Sequence, residues 1–132
     1  MNTYDVFVVG GGAAGLMAAG AALERGLSVC LFDKNRQLGR KVRITGKGRC
    51  NVTNNCPAEE VVAACPRGGK FLYGALSAFS PQDTMAFFEG LGVPLKTERG
   101  RRVFPVSDNA HDIAGALARY AAGATVLREY DG

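Results

Sequence analysis

The sequence predicts an α/β fold organised around a parallel sheet, and its first 34 residues carry most of that prediction. Residues 4–9 are β-branched or aromatic with no polar interruption after Asp5, the pattern of a strand buried on both faces. Gly10, Gly11 and Gly12 end that strand. A helical pattern starts at Ala13, with Leu16, Ala19 and Leu23 on one face and Gly26 as its stop. Residues 27–33 then read as a second buried strand. Strand, glycine turn, helix and strand in so short a span form a βαβ unit, which is parallel and right-handed.

From Asn35 to Cys65 the chain is polar, basic and glycine-containing without a sustained period. Residues 35–68 therefore read as a long loop, and loops of that length in a compact domain are mostly functional. Residues 69–106 read as two helices and a hairpin. The first helix is loose and covers residues 70–79. The second begins at Ser80-Pro81-Gln82-Asp83, with Ser80 as N-cap, Pro81 at the first helical position and Asp83 closing a capping box. That helix should bury Phe87, Phe88 and Leu91. The hairpin spans residues 93–104 and turns near Arg99-Gly100. Residues 107–132 supply a helix over 110–122, where Ile113, Leu117 and Tyr120 align, and a third strand over 124–130. The expected strand order is 3-2-1, with the helices and hairpin inserted.

At 132 residues the chain suits one domain, and its 47% hydrophobic and 21% charged residues suit a soluble, globular one. The net charge of +4 is uneven. Lys34, Arg36, Arg40, Lys41, Arg43, Lys47 and Arg49 fall in one stretch without an acid. Such a run is either a solvated loop or an anion site. No aromatic residue lies within it to stack a base, so no nucleic acid is expected. Cys30, Cys50, Cys56 and Cys65 include no C-x-x-C pair, and the chain has a single histidine. No metal is expected, and reduced thiols point to the cytoplasm. Residues 6–23 carry no charge, and Gly11 and Gly15 make a G-x-x-x-G. Three successive glycines interrupt that run, so it reads as strand, turn and helix rather than a membrane span.

The glycine turn carries the chemistry. Gly10-x-Gly12-x-x-Gly15 follows a strand, opens a helix and is answered by Asp33 at the end of the second strand. This is the full context of the Rossmann-like dinucleotide fingerprint. Gly10 permits the turn, Gly12 lets backbone approach a pyrophosphate, and Gly15 lets the helix pack closely. The phosphates would sit at the helix N-terminus over the N–H groups of Ala13 and Ala14. Asp33 would accept from the adenosine ribose, with Lys34 beside it. The fingerprint does not choose between FAD and NAD(P).

Gly39-Arg40-Lys41 followed by Thr45-Gly46-Lys47-Gly48-Arg49-Cys50-Asn51-Val52-Thr53-Asn54 resembles the signature of a family of bacterial FAD-dependent flavoproteins. That family includes aminoacetone oxidase and a BaiN-like bile-acid dehydrogenase/reductase type. Phe87-Phe88-Glu89-x-Leu91-Gly92 and Arg102-Val103-Phe104-Pro105-x-Ser107 resemble it too, so the similarity covers nearly the whole chain. The resemblance implies an FAD-dependent oxidoreductase. Its cofactor loop would include Arg40, Lys41, Gly48, Arg49, Cys50 and Asn51, with NAD(P)H open as electron donor.

Two positions depart from the pattern: Asp33, where such proteins more often have Glu, and Lys47, where they often have Gly. Five residues separate Cys50 and Cys56 rather than the four of a disulfide-reductase pair, which favours a structural or flavin-adjacent thiol. His111 reads as a surface or capping residue. Family members are much longer and build the FAD domain from both ends of the chain. The resemblance therefore implies an N-terminal part, inactive by itself and prone to self-association, with the catalytic and substrate-binding residues elsewhere. An NAD-dependent or disulfide-reductase enzyme and a non-catalytic binding fragment are the alternatives.

Overall fold

The computed structural model describes residues 2–128. The βαβ unit is present as β1 (Val6–Val9), α1 (Ala13–Glu24) and β2 (Val29–Asp33). β6 (Thr125–Arg128) joins the far side of β2, and both pairings are parallel. The sheet order β1-β2-β6 is the 3-2-1 arrangement expected from the sequence. Residues 129 and 130 of the expected third strand lie outside the described residues.

The core lies between this sheet and the helices α1 and α6 (Ala110–Tyr120), where Leu16, Leu31, Ile113 and Leu117 are buried. Small residues let the helices close up. A Cβ on Gly20 would run into the Tyr120 ring, so α1 and α6 approach there only because the side chain is missing. Asn109 caps α6 by accepting from the His111 N–H at 2.9 Å.

β1 departs from expectation. Only Val8 is buried, while Phe7 is 59% and Val9 86% exposed. Among the described residues β1 pairs on one side only, and its alternate side chains face away from the helices. An apolar run meant to be covered on both faces is covered on one.

Residues 35–65 also depart from the expected loop. They hold α2 (Arg40–Ile44), a two-residue strand β3 (Thr53–Asn54) and α3 (Ala58–Ala64). Two apolar side chains, Leu38 and Val42, anchor the first part by burial in the core. Gly39, at φ 70°, turns the chain into α2 while its N–H donates to the Gly11 carbonyl at 2.7 Å. Five helical residues are too few to show a period, so the pattern was invisible in the sequence.

The insertion forms a second sheet. β4 (Leu95–Glu98) and β5 (Arg102–Pro105) make the expected hairpin, and β3 adds antiparallel to β5. α4 (Tyr73–Ala78) and α5 (Pro81–Gly90) precede it. The capping box of α5 is formed as read: Ser80 Oγ accepts from the Asp83 N–H at 3.1 Å, and the Ser80 N–H donates to Asp83 at 2.9 Å. α5 buries Phe88, with Phe87 and Leu91 partly covered.

Candidate functional site

The site begins where β1 hands over to α1. Gly10 adopts φ 100°, a conformation that excludes most side chains. A Cβ on Gly15 would collide with the Gly10 carbonyl oxygen, so the third glycine is demanded by helix packing. Gly12 differs from both: its backbone, at φ −84° and ψ −166°, suits any residue, and a Cβ there would meet nothing within 4 Å. The fold does not need that glycine. Empty space in front of it is what a closely approaching ligand requires.

α1 has no side-chain cap and no acidic residue in its first turn. The first N–H groups of the helix, those of Ala13 and Ala14 among them, lack intrahelical partners and face outward with the positive end of the dipole. A cavity of about 660 Å³ opens beside them, lined by Val9, Gly10, Gly11, Gly12, Phe32, Asp33, Lys34, Asn35, Arg40 and Lys41. Three cations and a helix N-terminus around open space are a fitting set for a diphosphate.

Asp33 is only 8% exposed at the floor of this cavity. One carboxylate oxygen accepts from the Gly11 N–H and the other from the Asn35 N–H, each at 2.7 Å. The side chain thus braces the turn. Each oxygen keeps a lone pair, so a ribose hydroxyl can still be accepted. Gly11 was not singled out in the sequence. Its Cβ would press on Asp33 Oδ2 at 2.6 Å and on Leu38 at 2.5 Å, and the three successive glycines were the signal.

A second cavity of about 500 Å³ shares Gly12 and Lys41 with the first. Its walls are apolar: Met17, Val42, Val52, Phe87, Phe88 and Leu117 contribute, with Ala13, Cys50 and Asn51 at one side. Cys50 is buried, and burial pushes its thiol pKa up, partly offset by a hydrogen bond with Thr45. The neutral thiol, not the thiolate, is favoured there. All four cysteines are free thiols. The Asn51 amide, oriented with its NH2 inward, donates to the carbonyls of Thr53 at 3.0 Å and Val103 at 3.3 Å.

The expected cofactor loop is thus divided. Arg40 and Lys41 join the glycine turn, Asp33 and Lys34 at the first cavity, and Cys50 and Asn51 line the second. Gly48 and Arg49 line neither. Arg49 turns to the hairpin, where it pairs with Glu98 and Asp108. Lys47 is left-handed at φ 57°, which explains why glycine suits that position. His111 is exposed, its Nδ1 2.7 Å from Arg43 Nη1. Among the described residues no His, Cys, Asp and Glu side chains cluster in a group able to hold a metal ion. No helix among them is long and apolar enough to cross a membrane.

Fold and site together define a dinucleotide-binding unit of the Rossmann class. The chain belongs to the HI0933-like protein family, whose Rossmann domain matches residues 4–131. It is 36% identical over 114 residues to the 3-dehydro-bile acid delta(4,6)-reductase of Clostridium scindens, covering 83% of this chain and 27% of that protein. It is 41% identical over 117 residues to the ribosomal RNA dihydrouridine synthase of Escherichia coli, covering 89% of this chain and 28% of that one. The chain therefore spans little more than a quarter of the length of these relatives. The solved structures of Thermovibrio ammonificans THI4 (TM-score 0.60, 20% identity) and of Mycobacterium smegmatis Sdh1 in complex with UQ1 (TM-score 0.60, 23% identity) share the fold. They align over 95% and 97% of this chain, and over 38% and 28% of their own.

Proposed function

We infer that this chain is the FAD-binding part of a flavin-dependent oxidoreductase. The observation that carries the reading is the junction at Gly12 and Lys41 of two cavities, the first holding Asp33, Lys34 and Arg40. A diphosphate resting on the N-terminus of α1 would have Asp33, Lys34 and Asn35, with Val9 and Phe32, on one side and Met17, Val42 and Phe87 on the other. Adenosine suits the first. The second, walled by Met17, Val42, Val52, Phe87 and Phe88 with Thr45, Asn51 and Thr84 among them, suits a large flat ring with one polar edge.

In this reading Ala13 and Ala14 donate backbone N–H groups to the diphosphate, Arg40, Lys41 and Lys34 balance its charge, and Asp33 accepts from the ribose. The flavin, when bound, supplies hydride or single-electron transfer, and the protein supplies orientation and electrostatics. Cys50, held neutral, contributes packing beside the ring and no thiolate. The relatives' names join a bile acid reductase to a synthase of dihydrouridine in ribosomal RNA. Their substrates are unlike, but both names describe the addition of hydrogen to a carbon–carbon double bond. We place the whole protein in that reaction class, with NAD(P)H as hydride donor and the cytoplasm, where free thiols persist, as its location.

The test is titration with FAD, followed by flavin fluorescence, of the whole protein as wild type and as Gly12→Val. Because Gly12 is unconstrained by the fold, the variant should keep its circular dichroism and thermal midpoint. Its FAD affinity should fall by about tenfold or more, since a side chain would occupy the space of the pyrophosphate. Equal affinity in the two proteins would remove the assignment, and tighter binding of NAD than of FAD would favour a nicotinamide enzyme.

A further inference from the structure

Arg49 belongs to the basic run, yet it faces away from both cavities, and its surroundings show what it does instead. Its Nη2 donates to Glu98 Oε2 at 2.5 Å, and its Nε donates to Asp108 Oδ1 at 2.9 Å. The guanidinium lies 4.0 Å above the centre of the Phe104 ring. Lys96 closes a ring of alternating charge by reaching the same two acids, Glu98 at 3.1 Å and Asp108 at 2.8 Å. Three elements of the hairpin region therefore grip one side chain: β4 through Glu98, β5 through Phe104, and the turn before α6 through Asp108.

The segment that carries Arg49 needs holding. Lys47 at φ 57° and Cys50 at φ 59° are both left-handed, a conformation unfavourable for residues with a Cβ. Such geometry persists only where the surroundings over-determine it. Backbone bonds supply part of that restraint, from the Cys50 N–H to Thr45 O at 3.0 Å and from the Val52 N–H to Val103 O at 2.8 Å. The same segment walls the apolar cavity through Thr45, Cys50 and Asn51.

We propose that Arg49 is a positioning residue, clamped by Glu98, Asp108 and Phe104, that holds residues 45–51 in the shape that receives the ring half of the cofactor. The proposal rests on the flavin reading of the apolar cavity. It differs from a role as diphosphate ligand, because Arg49 lines neither cavity and its charge is already met by two carboxylates.

Arg49→Met, Arg49→Lys and Asp108→Asn test it, with affinities for FAD and for ADP measured by calorimetry. ADP reports the cavity at Asp33 alone. A clamp predicts that Arg49→Met weakens FAD by about tenfold or more and leaves ADP within about twofold, with part of the loss restored in Arg49→Lys. Asp108→Asn should weaken FAD in the same direction. Were Arg49 a phosphate ligand, releasing it from Asp108 would instead tighten both ligands, and Arg49→Met would weaken both alike. Either result overturns the proposal. Amide exchange without ligand separates this from the flavin reading: Cys50 and Asn51 should exchange faster in Arg49→Met, and unchanged exchange there would also overturn the clamp. Failure of the whole wild-type protein to bind FAD while binding ADP would count against the flavin reading alone.

Discussion

Lys47 shows how a single residue can carry a cost that the rest of the loop absorbs. It sits at φ 57° between Gly46 at 56° and Gly48 at 84°, so three successive residues are left-handed. For a residue with a Cβ this conformation costs about 1–2 kcal/mol, whereas glycine adopts it freely but loses about 0.5–1 kcal/mol of chain entropy on folding. Lys47→Gly is therefore expected to stabilise the chain by about 0.5–1 kcal/mol, seen as a higher urea midpoint at unchanged slope. A lower midpoint would mean that the lysine side chain makes a compensating contact. The glycines of the turn differ in kind. Gly15 was legible as a packing residue and Gly12 as a ligand residue, because the fingerprint assigns a reason to each position. Gly11, which holds Asp33, was not legible as its partner, because the two lie 22 residues apart and only the fold brings them together, whereas Asn35 reaches Asp33 from two residues on.

At the level of elements, α5 is the most fully specified by local sequence. Ser80, Pro81 and Asp83 start it, and the reciprocal bonds between Ser80 and Asp83 are formed. Removing the hydroxyl in Ser80→Ala is expected to cost about 1 kcal/mol at neutral pH. The backbone N–H and the hydroxyl of Ser80 hold the Asp83 carboxyl below its usual pKa. A depressed carboxylate stabilises fully above its unfolded pKa and loses that contribution as pH falls through the folded value. The difference between wild type and Ser80→Ala should thus shrink below about pH 4, which denaturation at neutral and acid pH would reveal. A difference independent of pH would mean the carboxylate takes no part. α2 and β3, by contrast, have five and two residues. Neither is long enough to show periodicity, and each exists because a neighbour receives it, the core for Leu38 and Val42 and strand β5 for Thr53 and Asn54.

The parallel sheet leaves an apolar face uncovered among the described residues. The register places Val9, Phe32 and Leu127 in one row across the sheet and Phe7 and Cys30 in the next, on the face opposite the helices. Phe7, Val9 and Leu127 are exposed, and among the described residues β1 is an edge without a charge, proline or bulge. Such an edge adds strands readily. This chain is expected to associate with a second copy through β1 and that face, giving dimers or larger species by light scattering at micromolar concentration. Val9→Lys should shift the population towards monomer by placing a charge on the edge. A wild-type chain that stays monomeric under those conditions would refute the expectation.

Local pattern was enough for the βαβ unit, the strand order, the capping box, the hairpin and the glycine turn, because each depends on residues close in sequence or on a fixed handedness. Only the tertiary structure decided how the basic stretch is used. Seven like charges in one stretch read as a solvated loop or an anion site, yet the fold sends Arg40 and Lys41 to the cavity, Arg43 to His111 and Arg49 to the hairpin. That division depends on Glu98 and Asp108, 49 and 59 residues beyond Arg49. No local spacing records which opposite charge a folded chain will bring within reach, since the pairing follows from how the hairpin packs against the loop. The same holds for β1: its apolar residues suit burial on both faces, and only the packing shows that one face is open.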